Sequence, residues 1–432
     1  MKILLLTPGT GNFHCGSCLH DEALLRGLRN LGHDAAINAL YLPLVLDDAQ
    51  GIDGDDVSMG GIGLYLQAKS AVFRMMPTIA MRWLDRPGLL RKVANRADMT
   101  SPQELGKMTE QMLLGNHGKT RLEIERLLSH LKQEGKPDVV MLNNALLLGL
   151  ADPIVKAMDC PVVCTLQGED TFVDSLPDPW RSKVWQLLSD KAKDVAMFLP
   201  VSRHHADIMA DKMGLSFENM RVVYNGIEAQ HFKPQASPPD PPVIGYFARL
   251  CENKGLGTLI DAVLLLHERG QLGRSRLHLA GAASPKDMRF VDQQHQRLAD
   301  AGLADRVLIE TNVSLEDKAH LLRGMSVLSV PATYGESFGL YVLEANACGV
   351  PVVEPDHAGL AEVVALTDGG ILCEPDEPVS LADKLAELLG DPERRASIGQ
   401  AGRTAVLNQF TAQHMAENVA NALESVCLAP TA

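Results

Sequence analysis

Short runs of Val, Ile and Leu alternate along the chain with stretches of helical period. The apolar runs predict strands near 2–7, 34–40, 137–143, 161–166, 196–201 and 220–224, then 242–248, 276–281, 306–311, 326–331, 351–354 and 370–373, with helices in most of the gaps. Continuously apolar strands separated by helices signify parallel sheets covered on both faces. Two such series predict an α/β chain of two doubly wound, Rossmann-like domains, as its 432 residues also favour, since a single core stops growing well below that length. The proline-rich stretch from Phe232 to Pro242 suits neither helix nor sheet interior and is expected to be the linker. The expected division is therefore 1–235 and 236–400, with a last helical stretch over 401–432.

The alternation breaks over 43–118, too long for an ordinary connection. Its segments 60–76 and 79–92 mix apolar residues with Lys69, Arg74, Arg82, Arg86, Arg91 and Lys92. Two readings stand: a basic amphipathic surface for an anionic membrane or anionic acceptor, or helices packed on the first domain with their basic faces in water.

Composition narrows the function. A formal charge of -14 argues against nucleic acid as a partner, so any phosphate site has to be a local basic exception. The opening Met1–Thr7 reads as a first buried strand and not as a secretory leader, and no run approaches the roughly 20 apolar residues of a membrane span. Cys160, Cys164, Cys348 and Cys373 are scattered through expected strands and helices, which favours reduced thiols and a cytoplasmic setting.

The chemistry concentrates in the second half. Glu336 and Glu344 lie eight residues apart between apolar runs ending at Pro331 and resuming at Pro351, a strand, turn, helix and strand with one acid at the turn and the other two helical turns on. The N–H groups of Phe338, Gly339 and Leu340 at that expected helix start suit a phosphate. The two acids suit sugar hydroxyls, because a carboxylate only accepts hydrogen bonds. The plainer reading is an amphipathic helix with solvated acids. Upstream, Arg249 and Lys254 stand between a strand and a helix expected to begin near Lys254, the makings of a cationic clamp for a diphosphate or, more plainly, two basic residues on a solvated loop.

The pair Arg249 and Lys254, the Glu336 to Glu344 spacing and the segment Val222–Phe232 together resemble the retaining family-four glycosyltransferases of GT-B fold. That resemblance covers most of the chain and is strongest from about Pro200 to Pro375. It implies two Rossmann-like domains facing a cleft, a nucleoside-diphosphate sugar as donor, an unidentified hydroxyl acceptor, and a terminal helix that crosses back to the first domain. By position it implies Arg249 and Lys254 on the diphosphate, Glu344 on the ribose, and Glu336 with the backbone of Ser337 to Leu340 near the transferred sugar. No cofactor is expected.

On the first-domain side, strand 2–7 runs into a loop in which Gly11 lets the backbone approach the donor and His14 either faces the acceptor or packs in the loop. Cys15 and Cys18 have the spacing of a redox pair, a reading no other feature supports. Gln167 stands where many relatives have a histidine, so either Gln167, Glu169 or Asp170 fills that role on the sugar or acceptor side or the reaction does not need it, with a helix cap as the plainer use of either acid. Ser202 reads equally as a family feature or an N-cap. Asp53-Gly-Asp55-Asp56 imitates the Asp-x-Asp of metal-dependent transferases but lacks a strand before it, and no metal is expected. A nucleotide-sugar isomerase, such as a non-hydrolysing 2-epimerase, and a catalytically silent sugar-nucleotide binding protein are the competing functions.

Overall fold

The run Lys2–Thr7 forms β1, buried along its apolar residues as a central parallel strand has to be. It is followed by α1 (Gly16–Asn30), β2 (Asp34–Ala39), α2 (Pro102–Leu113), α3 (Arg121–Glu134), β3 (Val139–Leu142), α4 (Ala151–Met158), β4 (Val162–Leu166), α5 (Glu169–Ser175), α6 (Trp180–Ala192), β5 (Met197–Pro200) and α7 (Arg203–Met213). All pairings are parallel, in the order β2-β1-β3-β4-β5, with Leu4 opposite Ala36 on one side and Val140 on the other. The computed structural model describes residues 1–8, 16–40 and 102–428. These form two compact units, Met1–Tyr224 with Gln413–Ala432, and Asn225–Ala412.

The first unit's core is built from Leu4, Leu6, Val140, Leu142, Val162 and Cys164 on the sheet and from Leu127, Ile154, Val184 and Leu188 on the covering helices. Residues 102–118 of the long irregular stretch belong to this unit as α2 and a 3-10 turn at Gly115–His117, with Gly106 packed against Trp180 of α6. The basic residues between 69 and 92, and Asp53 to Asp56, lie outside the described residues.

The second unit comprises β6 (Val243–Phe247), α8 (Leu256–Glu268), β7 (Arg276–Gly281), α9 (Pro285–Asp300), β8 (Val307–Thr311), α10 (Leu315–Arg323), β9 (Val327–Leu328), α11 (Leu340–Ala347), β10 (Val352–Pro355), α12 (Ala358–Thr367), β11 (Gly370–Cys373), α13 (Pro378–Gly390) and α14 (Pro392–Gln409). Its strands are again all parallel, in the order β11-β10-β9-β6-β7-β8. Ile244, Val327, Leu328, Val352 and Leu385 are fully buried at its centre. Local signals set its helices: α9 starts at Ser284 with Pro285 at the first turn and Asp287 three residues on, a complete capping box. The last helix, α15 (Ala412–Leu428), returns to the first unit, where the Cys427 thiol lies 3.7 Å from the Asp138 carbonyl. At the crossing Ile227 N–H donates to Phe410 O and Ala412 N–H to Ile227 O.

Two expected strands differ. Residues 220–224 run along the edge of β5, donating Arg221 N–H to Phe198 O and Val223 N–H to Pro200 O, yet a single bridge, Phe198 to Met220, is all the pairing they make. The apolar pair at 222 and 223 marks an edge contact and not a strand. The run 326–331 keeps only Val327–Leu328 in the ladder, because the chain leaves the sheet there to build the polar loop that follows.

Candidate functional site

In the second unit, β6 ends at Phe247 and the chain turns through Arg249 into a 3-10 turn at Glu252–Lys254. Gly255 follows at φ +72, and a Cβ there would lie 1.7 Å from the Pro331 carbonyl, so only glycine lets Lys254 end the turn against the loop after β9. The fully buried Tyr246 donates its hydroxyl to Arg249 O at 2.8 Å, and Thr333 N–H donates to Asn253 O at 3.0 Å. The first bond ties the loop carrying the two cations to β6, and the second stitches it to the loop carrying Glu336.

Lys254 forms an ion pair with the Glu336 carboxylate, and Tyr334 donates its hydroxyl to the same oxygen at 2.9 Å. The Tyr334 ring centre is 5.0 Å from Nζ, and that of Tyr341 is 6.0 Å away, so aromatic faces add to the ammonium's surroundings. Burial alone would depress the lysine's pKa, but the Glu336 carboxylate and then Tyr334 outweigh it and hold it above the ordinary value. Burial, then the same carboxylate, push the Tyr334 hydroxyl up to about 12. Arg249 is held differently. Its guanidinium is half exposed and grips both oxygens of Asp287, at 3.0 and 3.3 Å, in the capping box of α9. Burial would raise the Asp287 pKa, yet hydrogen bonds from Ser284 and the Arg249 charge bring it below the usual range.

The second acid of the spaced pair is buried on α11. Glu344 accepts from Lys318 of α10, whose ammonium lies 5.3 Å from the Phe247 ring, and its Oε2 has no partner among the described residues. The start of α11 carries Gly339 at φ +87 with no side-chain cap, and a Cβ there would meet Leu360 at 2.5 Å. Beneath this group, Glu354 at the end of β10 is fully buried. Its Oε1 accepts Val330 N–H at 3.1 Å while Oε2 has no partner among the described residues. Burial, then the Glu336 charge, keep this carboxyl well above the usual range.

In the first unit, the turn after β4 is built around Glu169. Its Oε1 accepts Ala145 N–H at 2.7 Å, and Oε2 accepts Gln167 and Gly168 N–H at 2.8 and 3.0 Å. The buried His205 ring lies between Glu169, at 3.3 Å, and Asp170, at 3.6 Å. The Gln167 amide nitrogen reaches Asn143 O at 3.2 Å and lies 3.3 Å from Nδ1 of His20 on α1. Ser202 is an N-cap, accepting His205 N–H at 3.0 Å.

The model of the glycosyl transferases group 1 matches residues 228–405, and that of glycosyltransferase family 4 matches residues 93–231. The chain belongs to the family-four glycosyltransferases of GT-B fold. Two D-inositol 3-phosphate glycosyltransferases, of Xylanimonas cellulosilytica and Thermobispora bispora, are each 32% identical to it, over 47% and 48% of this chain and 51% and 52% of their own. The chain thus spans about half the length of the curated relatives it matches. Among solved structures, Anabaena HepE in complex with UDP superposes with a TM-score of 0.69 at 19% identity, covering 98% of this chain and all of that one. The sucrose-phosphate synthase of Thermosynechococcus elongatus gives 0.70 at 18%, with 98% of each chain covered.

Of the residues this family member was expected to use, Lys254 and Glu336 come together as one pair, whereas Arg249 and Glu344 each pair with a residue outside the expected set. Gln167, Glu169 and Asp170 share one turn. Gly11 and His14, with the Cys15 to Cys18 spacing, lie outside the described residues or side chains. Tyr334, Lys318 and Asp287 were missed. For Lys318 a signal existed: it is three and four residues from the buried Leu321 and Leu322, on a helix face that a solvated lysine would avoid.

Proposed function

We propose that this chain is a retaining glycosyltransferase that moves a sugar from a nucleoside-diphosphate sugar to a hydroxyl acceptor without a metal ion. The observation that carries the reading is the Lys254–Glu336 pair under Tyr334, beside a helix start that no side chain caps. A diphosphate competes with Glu336 for the ammonium, and the carboxylate so released accepts from a hydroxyl of the transferred sugar. Arg249 leaves Asp287 for the same phosphates, the amides of Ser337, Phe338, Gly339 and Leu340 face them, and Lys318 fixes Glu344 so that its free oxygen takes the ribose. Gln167 and Asp170 stand on the acceptor or sugar side.

In the reaction the bond from the anomeric carbon to the phosphate oxygen breaks while the acceptor oxygen bonds to that carbon on the same face, and the acceptor proton passes to the departing phosphate. Negative charge grows on the leaving group, and fixed donors aimed at it supply most of the rate. Uridine is the first base to test because Anabaena HepE is seen with UDP, and D-inositol 3-phosphate is the first acceptor, from the names of the relatives. Calorimetric titration with UDP, GDP and ADP, then with their sugars, identifies the donor. Lys254→Ala is expected to lower turnover by roughly 10²- to 10³-fold, the usual effect of removing one such donor. Unchanged turnover rejects the clamp, and a new sugar with the nucleotide still attached would mean an isomerase.

A further inference from the structure

Among the described residues, His20 has one ring nitrogen committed and one open. Its Nδ1 lies 3.0 Å from Asp21 Oδ1, and the other oxygen of Asp21 accepts from the Asn143 amide. Asn143 is held in turn by Asn144, whose amide donates to it at 2.9 Å. All three of His20, Asp21 and Asn143 are buried. The carboxylate is the strong acceptor in this group, so the Nδ1 proton belongs to that bond and the neutral ring carries its lone pair on Nε2. The nearby Gln167 amide directs its own protons to Asn143 O and Thr165 Oγ1. Among the described residues nothing answers Nε2.

Side chains from α1 and from the ends of β3 and β4 thus converge on one imidazole where the strands finish, the side of a parallel sheet at which ligands bind. The neighbouring acid does not compete for that role, since both oxygens of Glu169 are taken by main-chain N–H groups. We propose that His20 Nε2 accepts a hydrogen bond from a sugar-ring hydroxyl, with Asp21 as the positioning residue that fixes its tautomer. The inference rests on the glycosyltransferase reading and adds to it the imidazole that meets the substrate. The hydroxyl belongs either to the donor's sugar or to the group that attacks it.

The test compares UDP with UDP-glucose on the full chain. UDP affinity reports the second unit and serves as the folding control. His20→Ala is expected to leave UDP affinity unchanged. If the hydroxyl is the donor's, UDP-glucose binds about tenfold more weakly in this variant, as for one lost hydrogen bond. If it is the attacking group's, UDP-glucose affinity holds while kcat for UDP release falls about tenfold. Asp21→Asn shifts the same parameter in the same direction, and His20→Gln, whose amide oxygen can still accept, recovers part of the loss. Unchanged affinity and unchanged kcat in His20→Ala, or in His20→Gln together with Asp21→Asn should the alanine variant not fold, overturn the proposal. A wild-type chain that binds neither UDP nor UDP-glucose, nor the guanosine and adenosine equivalents, instead rejects the donor reading on which it stands.

Discussion

Glu169 in the first unit and Glu336 in the second are both carboxylates withdrawn from water beyond the end of a parallel strand, but they are answered by different kinds of donor. Glu169 is met by three main-chain N–H groups. Glu336 is met by Lys254, as Glu344 is by Lys318 and Asp287 by Arg249. A main-chain donor cannot leave without unfolding its turn, whereas a lysine or arginine reaches another anion by rotating its own bonds. The acid of the first unit is therefore architecture, whereas the ion pairs of Glu336, Glu344 and Asp287 can be exchanged, even though Asp287 also keeps its main-chain bond to Ser284.

The hardest way to break that contrast is Glu169→Ala. It removes the carboxylate that accepts from Ala145, Gln167 and Gly168 N–H in a buried turn, leaving Gly168 N–H with His205 Nε2 at 3.0 Å, and takes an acid away from His205, at a cost of about 3–5 kcal/mol in stability. Thermal melts should show the loss, with UDP affinity of whatever folded protein remains unaltered. A fully stable variant with altered substrate kinetics would make Glu169 a functional acid and end the distinction.

The buried carboxyls also predict opposite pH slopes. Burial alone would raise the Glu169 pKa, but bonds from His205 and the main chain outweigh it and hold it low. Its stabilisation is present above the unfolded value near 4.5 and is lost as pH falls through the folded one. Glu354 is the reverse, since burial raises its pKa. The stability of that site is complete below about 4.5 and declines as pH rises towards the folded value. Glu354→Gln keeps the acceptor for Val330 N–H and removes the titration, so the variant should gain melting temperature over wild type increasingly with pH above 4.5. A gain independent of pH would show that Glu354 is not neutral in the folded chain.

The sheets were legible because strands buried on both faces leave unbroken apolar runs, and residues 220–224 misled because an edge contact borrows the same residue types. At the candidate site, type and spacing singled out Arg249, Lys254, Glu336 and Glu344 but left solvated charges as the plainer reading, and their expected roles came from the family resemblance. Their counterparts were not singled out. Asp287 stands three residues after the N-cap Ser284 in the capping box of α9, and only the fold brings it under Arg249. Tyr334 carries no period at all. The acids at 169 and 170 were readable as acids but not as bound or free, because that depends on where Ala145 and His205 arrive from sequence positions far away.

The smallest expected effect is the sharpest check on exchangeability. Asp287→Asn keeps an oxygen for the Ser284 N–H and so preserves the cap, but it releases Arg249 from a charge that, on the proposed clamp reading, competes with the diphosphate. The pair is half exposed on the arginine side, and such pairs are worth about 0.2–1 kcal/mol. UDP should consequently bind the variant up to a few-fold more tightly at low salt, with the difference shrinking towards 1 M salt as the competing charges are screened. Weaker UDP binding at every ionic strength would mean that Asp287 holds Arg249 in its working position, and the acids of the second unit would then be as architectural as Glu169.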